Sequence, residues 1–167
     1  MQLSEKQFIE LVNTHQGIIH KVCGMYCNDK DNKKDLFQEI VLQLWRSVAS
    51  FRAEAKISTF IYRVALNVAL SGLRKSYRQP VQESITENVL AYPNDSSYEE
   101  KSEQLQMLND AIAHLSEIEK AITLMYLDDR SYEEIAETMG ITQNNLRVRM
   151  NRIREKLKQI VKTRCSI

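Results

Sequence analysis

Apolar residues recur along this chain every three to four positions, the spacing that lines one side of an α-helix. Phe8, Leu11, Val12, Ile18, Ile19, Val22 and Tyr26 make the first stripe. Ser4 and Gln7 stand three apart at its head, as in a capping box that opens a helix. Gly17 is a weak point within it, and Asn28-Asp29-Lys30-Asp31-Asn32 is a turn cluster that ends it. The second stripe is the clearest: Leu36, Phe37, Ile40, Val41, Leu44, Trp45 and Val48 repeat at i, i+1, i+4. A third helix is predicted from Ser58, a good N-cap, toward Tyr77. In it Ile61, Val64, Ala65, Val68 and Leu73 turn inward. Arg63, Asn67, Ser71, Arg74 and Arg78 form another face, polar and basic along its whole length. Pro80 closes this domain.

Residues 81–102 have few large apolar side chains and several Glu, Ser and Asn, so they read as a linker. Leu105, Leu108, Ile112 and Leu115 open a second helical domain. Ser116 with Glu119, and Ser131 with Glu134, are two further capping boxes, each starting a helix. Gly140 stands where a helix ends in a left-handed residue, and Thr142 caps the helix that follows. The expected fold class is all-α: two small helical domains, residues 1–80 and 103–167, joined by an acidic linker.

Composition supports this, with four Gly and two Pro in 167 residues. The formal net charge of +1 conceals a segregation. Residues 1–80 carry twelve basic and seven acidic side chains, residues 81–130 three and eleven, and residues 131–167 eight and four. Two basic ends around an acidic middle fit two polyanion-binding modules separated by a segment that is not one. The start, Met-Gln-Leu-Ser, has no basic n-region, and no apolar run approaches a membrane span. Cys23, Cys27 and Cys165 are an odd set with no CxxC pair, so a disulfide framework is not expected. The chain reads as cytoplasmic, without direct membrane insertion.

The function lies in residues 131–158, which follow a helix-turn-helix pattern. Ile135, Ala136 and Met139 pack the first helix, and small Ala136 lets the second approach closely. Gly140 makes the turn and Ile141 plugs the angle. In the long helix beyond, Leu146, Met150, Ile153, Leu157 and Ile160 form a buried stripe. The opposite side holds Asn144, Val148 and Asn151, flanked by Arg147 and Arg152, with Arg149 nearer the core edge and suited to phosphate. Near the start of a helix these are groups for the major groove. Arg donates twice to guanine, Asn pairs with adenine, and Val touches a thymine methyl. A helical hairpin with an ordinary solvated face is the competing reading.

The helix-turn-helix, preceded by Leu115-Ser116-Glu117-Ile118-Glu119-Lys120 and Leu124-Met125-Tyr126-Leu127, resembles region 4 of the sigma-70 family. The first domain is similar to region 2. Asp35-Leu36-Phe37-Gln38-Glu39-Ile40 with Trp45 matches its core-binding segment. Phe60-Ile61-Tyr62-Arg63-Val64-Ala65-Leu66-Asn67, then Leu73-Arg74-Lys75, matches its promoter-melting segment. With these two regions and a short acidic linker, the chain resembles the extracytoplasmic-function (ECF) subgroup. The resemblance implies a sigma factor that binds RNA polymerase core and directs promoter recognition, melting and initiation. It implies core contacts at Asp35, Gln38, Glu39, Leu42 and Trp45, although Trp45 fits a buried anchor equally well. It implies capture of the melted −10 strand, with Asn67 and Ser71 reading a base and Arg63, Arg74, Lys75 and Arg78 holding the backbone. Ser71 departs from the acidic or amide residue common there, and Phe60 and Tyr62 read as packing. The −35 element falls to Thr142, Asn144, Arg147, Val148, Arg149, Asn151 and Arg152. An anti-sigma factor is a further implied partner, beside RNA polymerase core and promoter DNA.

Other signals carry less. His20, Cys23 and Cys27 share a helical face, but a structural zinc site wants four ligands and no fourth is near. The residues around His15 and His114 form no recognisable site pattern. With no phosphate-cradling loop and no nucleophile–base set, no enzymatic activity, metal or cofactor is expected. The alternatives are a helix-turn-helix regulator acting without core polymerase, which binds symmetric half-sites, and a helical protein–protein adaptor. An adaptor has no reason to duplicate basic faces.

Overall fold

A computed structural model describes residues 3–52, 54–76 and 99–165. The chain divides into two compact units, Met1–Asn88 and Val89–Ile167. Among the described residues there are seven α-helices, one short 3-10 turn and no strand.

The first unit is three helices, each packed on the other two: α1 (Glu5–Tyr26), α2 (Lys30–Ser47) and α3 (Ile57–Ser76). At the start of α1 the Ser4 hydroxyl accepts from the Gln7 N–H at 3.3 Å, and the Gln7 side chain accepts from the Ser4 N–H at 2.9 Å. Two of the helix's orphan donors are thereby satisfied. Gly17 leaves α1 unbroken. The turn after it is shorter than the polar cluster implies. Asp29 accepts from the Asn32 N–H at 2.8 Å and caps α2, so Lys30, Asp31 and Asn32 are already helical. That hydrogen bond, ahead of weaker ones, holds the Asp29 carboxyl below its ordinary range.

The third helix also begins earlier than expected. The Phe60 N–H donates to the Lys56 carbonyl, so Ile57 opens α3 and Ser58 lies inside its first turn rather than at the cap. Its apolar face is wider than one stripe, because α3 packs on both α1 and α2. Ile61, Tyr62, Val64 and Ala65 are buried as expected, and Leu66 and Ala69 are buried as well. Phe8, Ile18, Ile19, Val22 and Cys23 of α1 and Ile40, Leu44 and Val48 complete this core. The ends predicted at Tyr77 and Pro80 lie outside the described residues.

The second unit holds α4 (Glu99–Ala113), α5 (Glu117–Leu127), α6 (Tyr132–Met139) and α7 (Gln143–Cys165). Residues 81–98 of the expected linker lie outside the described residues, and α4 starts at Glu99, within the segment read as linker. The long α7 packs on α4, α5 and α6. Ile112, Leu115, Ile122, Met125, Ile135, Leu146, Met150 and Ile153 form the core, whereas Leu105 at the start of the α4 stripe stays exposed. Both expected capping boxes are formed, at Ser116–Glu119 and Ser131–Glu134.

Candidate nucleic-acid and polymerase interfaces

Local chemistry sets the angle between α6 and α7. Gly140 adopts φ 66° and ψ 34°, the left-handed region that costs a side-chain-bearing residue. The Ile141 N–H then reaches back to the Ala136 carbonyl at 3.0 Å, the long backward bond of a Schellman ending. Two residues on, Thr142 Oγ1 accepts from the Asn145 N–H at 3.2 Å and starts α7.

The buried stripe of α7 is Leu146, Met150 and Ile153, with Leu157 and Ile160 half-buried beyond them. Asn144, Arg147, Val148, Asn151 and Arg152 are exposed, Val148 with 50% of its surface open. Thr142 is exposed as well, and Arg149 is half-buried at the edge of the core. Arg147 Nη1 donates to Asn144 Oδ1 at 3.2 Å, and Arg149 Nε donates to Asn145 Oδ1 at 3.0 Å.

Behind this face lie contacts that the sequence pattern did not signal. Arg154 donates to the Tyr132 hydroxyl at 3.1 Å and to that of Tyr126 at 3.5 Å, and its guanidinium lies 5.5 Å from the centre of the Tyr126 ring. Lys156 pairs with Glu119 at 2.5 Å. That carboxylate also accepts from the Ser116 N–H, so one side chain serves a helix cap and a cross-helix pair. Desolvation pushes the Glu119 carboxyl up, but hydrogen bonds from Lys156 and Ser116 prevail and hold it below its ordinary value. The helix α5 ends on Asp129 in a left-handed conformation, φ 55°, with the Arg130 N–H returning to the Met125 carbonyl. Asp is among the few residues other than glycine that tolerate this geometry, so Asp128-Asp129 was a readable stop signal.

In the first unit, α3 exposes Asn67, Ser71 and Arg74 along one row, with Arg63 half-buried at its start. Arg78 and the Lys75 side chain lie outside the described residues. Tyr62 has no exposed surface, and Phe60 packs on Phe51 with ring centres 5.1 Å apart. The Tyr62 ring is closed to a base, and the Phe60 ring is half-buried.

On α2, Asp35, Gln38, Glu39 and Leu42 are all exposed. Trp45 combines both roles considered for it: its ring meets Phe8 edge-on at 4.8 Å, yet 44% of its surface stays open. It borders an apolar groove of about 560 Å³ walled by Phe8 and Ile9 of α1 and Phe37, Val41, Leu42 and Trp45 of α2. His20 stacks on Phe37, and Cys23 is buried. Burial first, then neighbouring Cys27, pushes the Cys23 thiol up to about 11, which suits a small core residue better than a metal thiolate.

A helix-turn-helix with a cation–amide face, in one chain with a separate bundle carrying a second polar and basic row, is the make-up of a helical DNA-binding protein. Comparison with known proteins gives the family. The Sigma-70 region 2 model matches residues 11–79 and the Sigma-70, region 4 model matches residues 105–157. The ECF RNA polymerase sigma-E factor of Haemophilus influenzae is 34% identical over 165 residues, covering 92% of this chain and 87% of that protein. Its Escherichia coli K12 namesake is 30% identical over 162 residues, covering 90% and 84%. Among solved structures, the sigma factor RpoE from Bartonella quintana, in complex with the anti-sigma factor NepR, superposes with a TM-score of 0.72 at 20% identity, covering 94% of this chain and 98% of that one. CnrH in complex with the cytosolic domain of CnrY gives 0.68 at 16% identity, covering 96% and 90%.

The chain belongs to the sigma-70 family of RNA polymerase sigma factors, in its extracytoplasmic-function subgroup. It is a non-enzymatic initiation factor that binds RNA polymerase core and promoter DNA and directs promoter-specific transcription. That sets aside the core-independent regulator and the adaptor. No described helix is long and apolar enough to cross a membrane.

Proposed function

We propose that the work is divided among three surfaces. Residues 1–80 bind core through Asp35, Gln38, Glu39, Leu42 and Trp45 of α2. The same domain holds the melted −10 strand on α3, where Asn67 and Ser71 face a base and Arg63, Arg74, Lys75 and Arg78 hold phosphates. Residues 103–167 read the −35 element with Thr142, Asn144, Arg147, Val148, Arg149, Asn151 and Arg152, and residues 81–102 link the two. The observation that carries this reading is that α3 and α7 each bury one face and expose a row of amides and cations on another. Such rows suit, respectively, single strands, where sequence is read from splayed bases, and duplex, where it is read from groove edges.

Open-complex formation by reconstituted holoenzyme tests the division. Asn67→Ala is expected to lose far more activity on closed duplex than on a template with a pre-melted bubble. Arg74→Ala is expected to weaken both alike, most at low salt and less as salt rises, because losing one phosphate contact lowers the salt dependence of binding. Equal losses for Asn67→Ala on both templates refute strand capture by that residue. The protein acts in the cytoplasm, where core and promoters are, and an anti-sigma factor controls it. NepR bound to RpoE supports that last assignment. Pull-down of a specific inhibitory partner that blocks core binding tests it, and a chain active at all times without one refutes it.

A further inference from the structure

The first turn of α7 holds two consecutive asparagines, and each engages a different arginine. Asn144 Oδ1 accepts from Arg147 Nη1 at 3.2 Å, and Asn145 Oδ1 accepts from Arg149 Nε at 3.0 Å. The nitrogen taken differs, and so does what remains. A guanidinium has five N–H donors in a rigid planar fork. Arg147, held at Nη1, keeps its Nε–Nη2 edge, two parallel donors that match guanine O6 and N7. Arg149, held at Nε, keeps its two terminal nitrogens, which can donate as a pair to a phosphate or a base edge, so its position at the core edge decides for phosphate. Arg147 is exposed on the flank of the solvent face, while Arg149 is half-buried at the core edge. The Asn145 backbone N–H donates to the Thr142 cap, which fixes the main chain from which that side chain springs.

We propose that Asn144 and Asn145 are positioning residues that sort the two arginines, Asn144 presenting Arg147 to a guanine edge and Asn145 turning Arg149 to the phosphate backbone. This rests on the reading of α7 as the −35 reader and changes the role of Asn144 within it: its carbonyl oxygen serves an arginine, not an adenine. Arginine is long and flexible, so an acceptor that pre-selects one rotamer raises the fraction of encounters in which both donors are aligned.

The test is selection of a randomised −35 library by holoenzyme assembled with the full-length chain. Arg147→Ala should flatten preference at one base position, by about five- to a hundredfold. Asn144→Ala should flatten the same position by about three- to tenfold and leave the others unchanged. The double variant should be no worse than Arg147→Ala alone, since a positioning residue has no effect without its client. Asn144→Asp restores an acceptor and should recover the preference while weakening every sequence alike through its added charge. Asn145→Ala should leave base preference intact and reduce the salt dependence of binding, as Arg149→Ala does. If Asn144→Ala alters a different base position, or its effect adds to that of Arg147→Ala, Asn144 reads its own base and the positioning role is overturned. If Asn144→Ala changes nothing while Arg147→Ala does, the positioning role alone falls. If Arg147→Ala itself leaves every preference unchanged, the −35 reading falls and takes the positioning with it.

Discussion

Ile40 and Leu42 stand two residues apart on α2 and should give opposite readouts when cut back to alanine. Ile40 has no exposed surface, whereas 48% of Leu42 is open. Two residues turn the helix through about 200°, so the pair reports on its two sides separately. Ile40→Ala leaves a cavity where α2 meets α1 and α3, and such truncations cost about 2–5 kcal/mol. For a bundle this small that lowers Tm by about 10 °C or more. Leu42→Ala should change stability by no more than about 0.5 kcal/mol. Its cost appears in core binding. Fully burying a leucine side chain yields about 1.5–3 kcal/mol, and about half of that is still available here, so the loss is about 0.7–1.5 kcal/mol. That is about three- to twelvefold in Kd. Denaturant unfolding gives the first quantity, and competition with labelled parent for purified core gives the second. A Leu42→Ala chain that competes as well as the parent, or that unfolds as early as Ile40→Ala, refutes the assignment of this surface.

Other outcomes follow from single residues. Gly140→Ala should destabilise the second unit by about 1–2 kcal/mol through backbone strain alone, because a Cβ there meets nothing within 4 Å; Gly17→Ala, in open space inside α1, should stabilise by roughly 0.5–1 kcal/mol, and equal signs in a melting experiment would contradict the turn geometry. Because the folded Glu119 carboxyl sits below its ordinary value, its contribution is present above that value and lost as pH falls through the lower folded one. Glu119→Gln should therefore flatten the acid limb of stability against pH, and an unchanged limb counts against the Lys156 pairing. Lys156 is half exposed, so screening holds the neutral-pH cost to roughly 0.5–1 kcal/mol.

Much of this was legible in the sequence wherever the determining interaction is local. The capping boxes at Ser4, Ser116 and Ser131, the left-handed Gly140 and the Thr142 cap each close within a few residues, and the structure forms them all. The phasing of α7 followed from its period, which put Arg149 nearer the core edge than Arg147. What periodicity lacks is the neighbour. The width of the buried face of α3 depends on two partner helices, so Leu66 and Ala69 did not stand out. Arg154 meets Tyr132 at 22 residues' separation and Lys156 meets Glu119 at 37, distances at which no local pattern constrains pairing. The start of α2 was missed for a different reason: Asn and Asp favour turns and N-caps alike, and the choice rests on which N–H the Asp29 carboxylate reaches.

The charge distribution explains why such a protein depends on its polymerase. Each row proposed to face DNA offers only a few cations, Arg147, Arg149 and Arg152 on α7 and Arg63 and Arg74 on the described part of α3. Affinity for duplex scales with the phosphates neutralised and falls steeply with salt, so a face of about three cations binds weakly at physiological ionic strength. The acidic middle of the sequence cancels the surplus of both ends, leaving a net charge of +1 and little long-range pull toward DNA. Weak faces become effective when something else holds them at the promoter, because a tethered second contact is set by effective rather than bulk concentration. On the proposed assignment, core polymerase supplies that tether through α2. A free chain with such weak faces is then little drawn to the excess of non-promoter DNA.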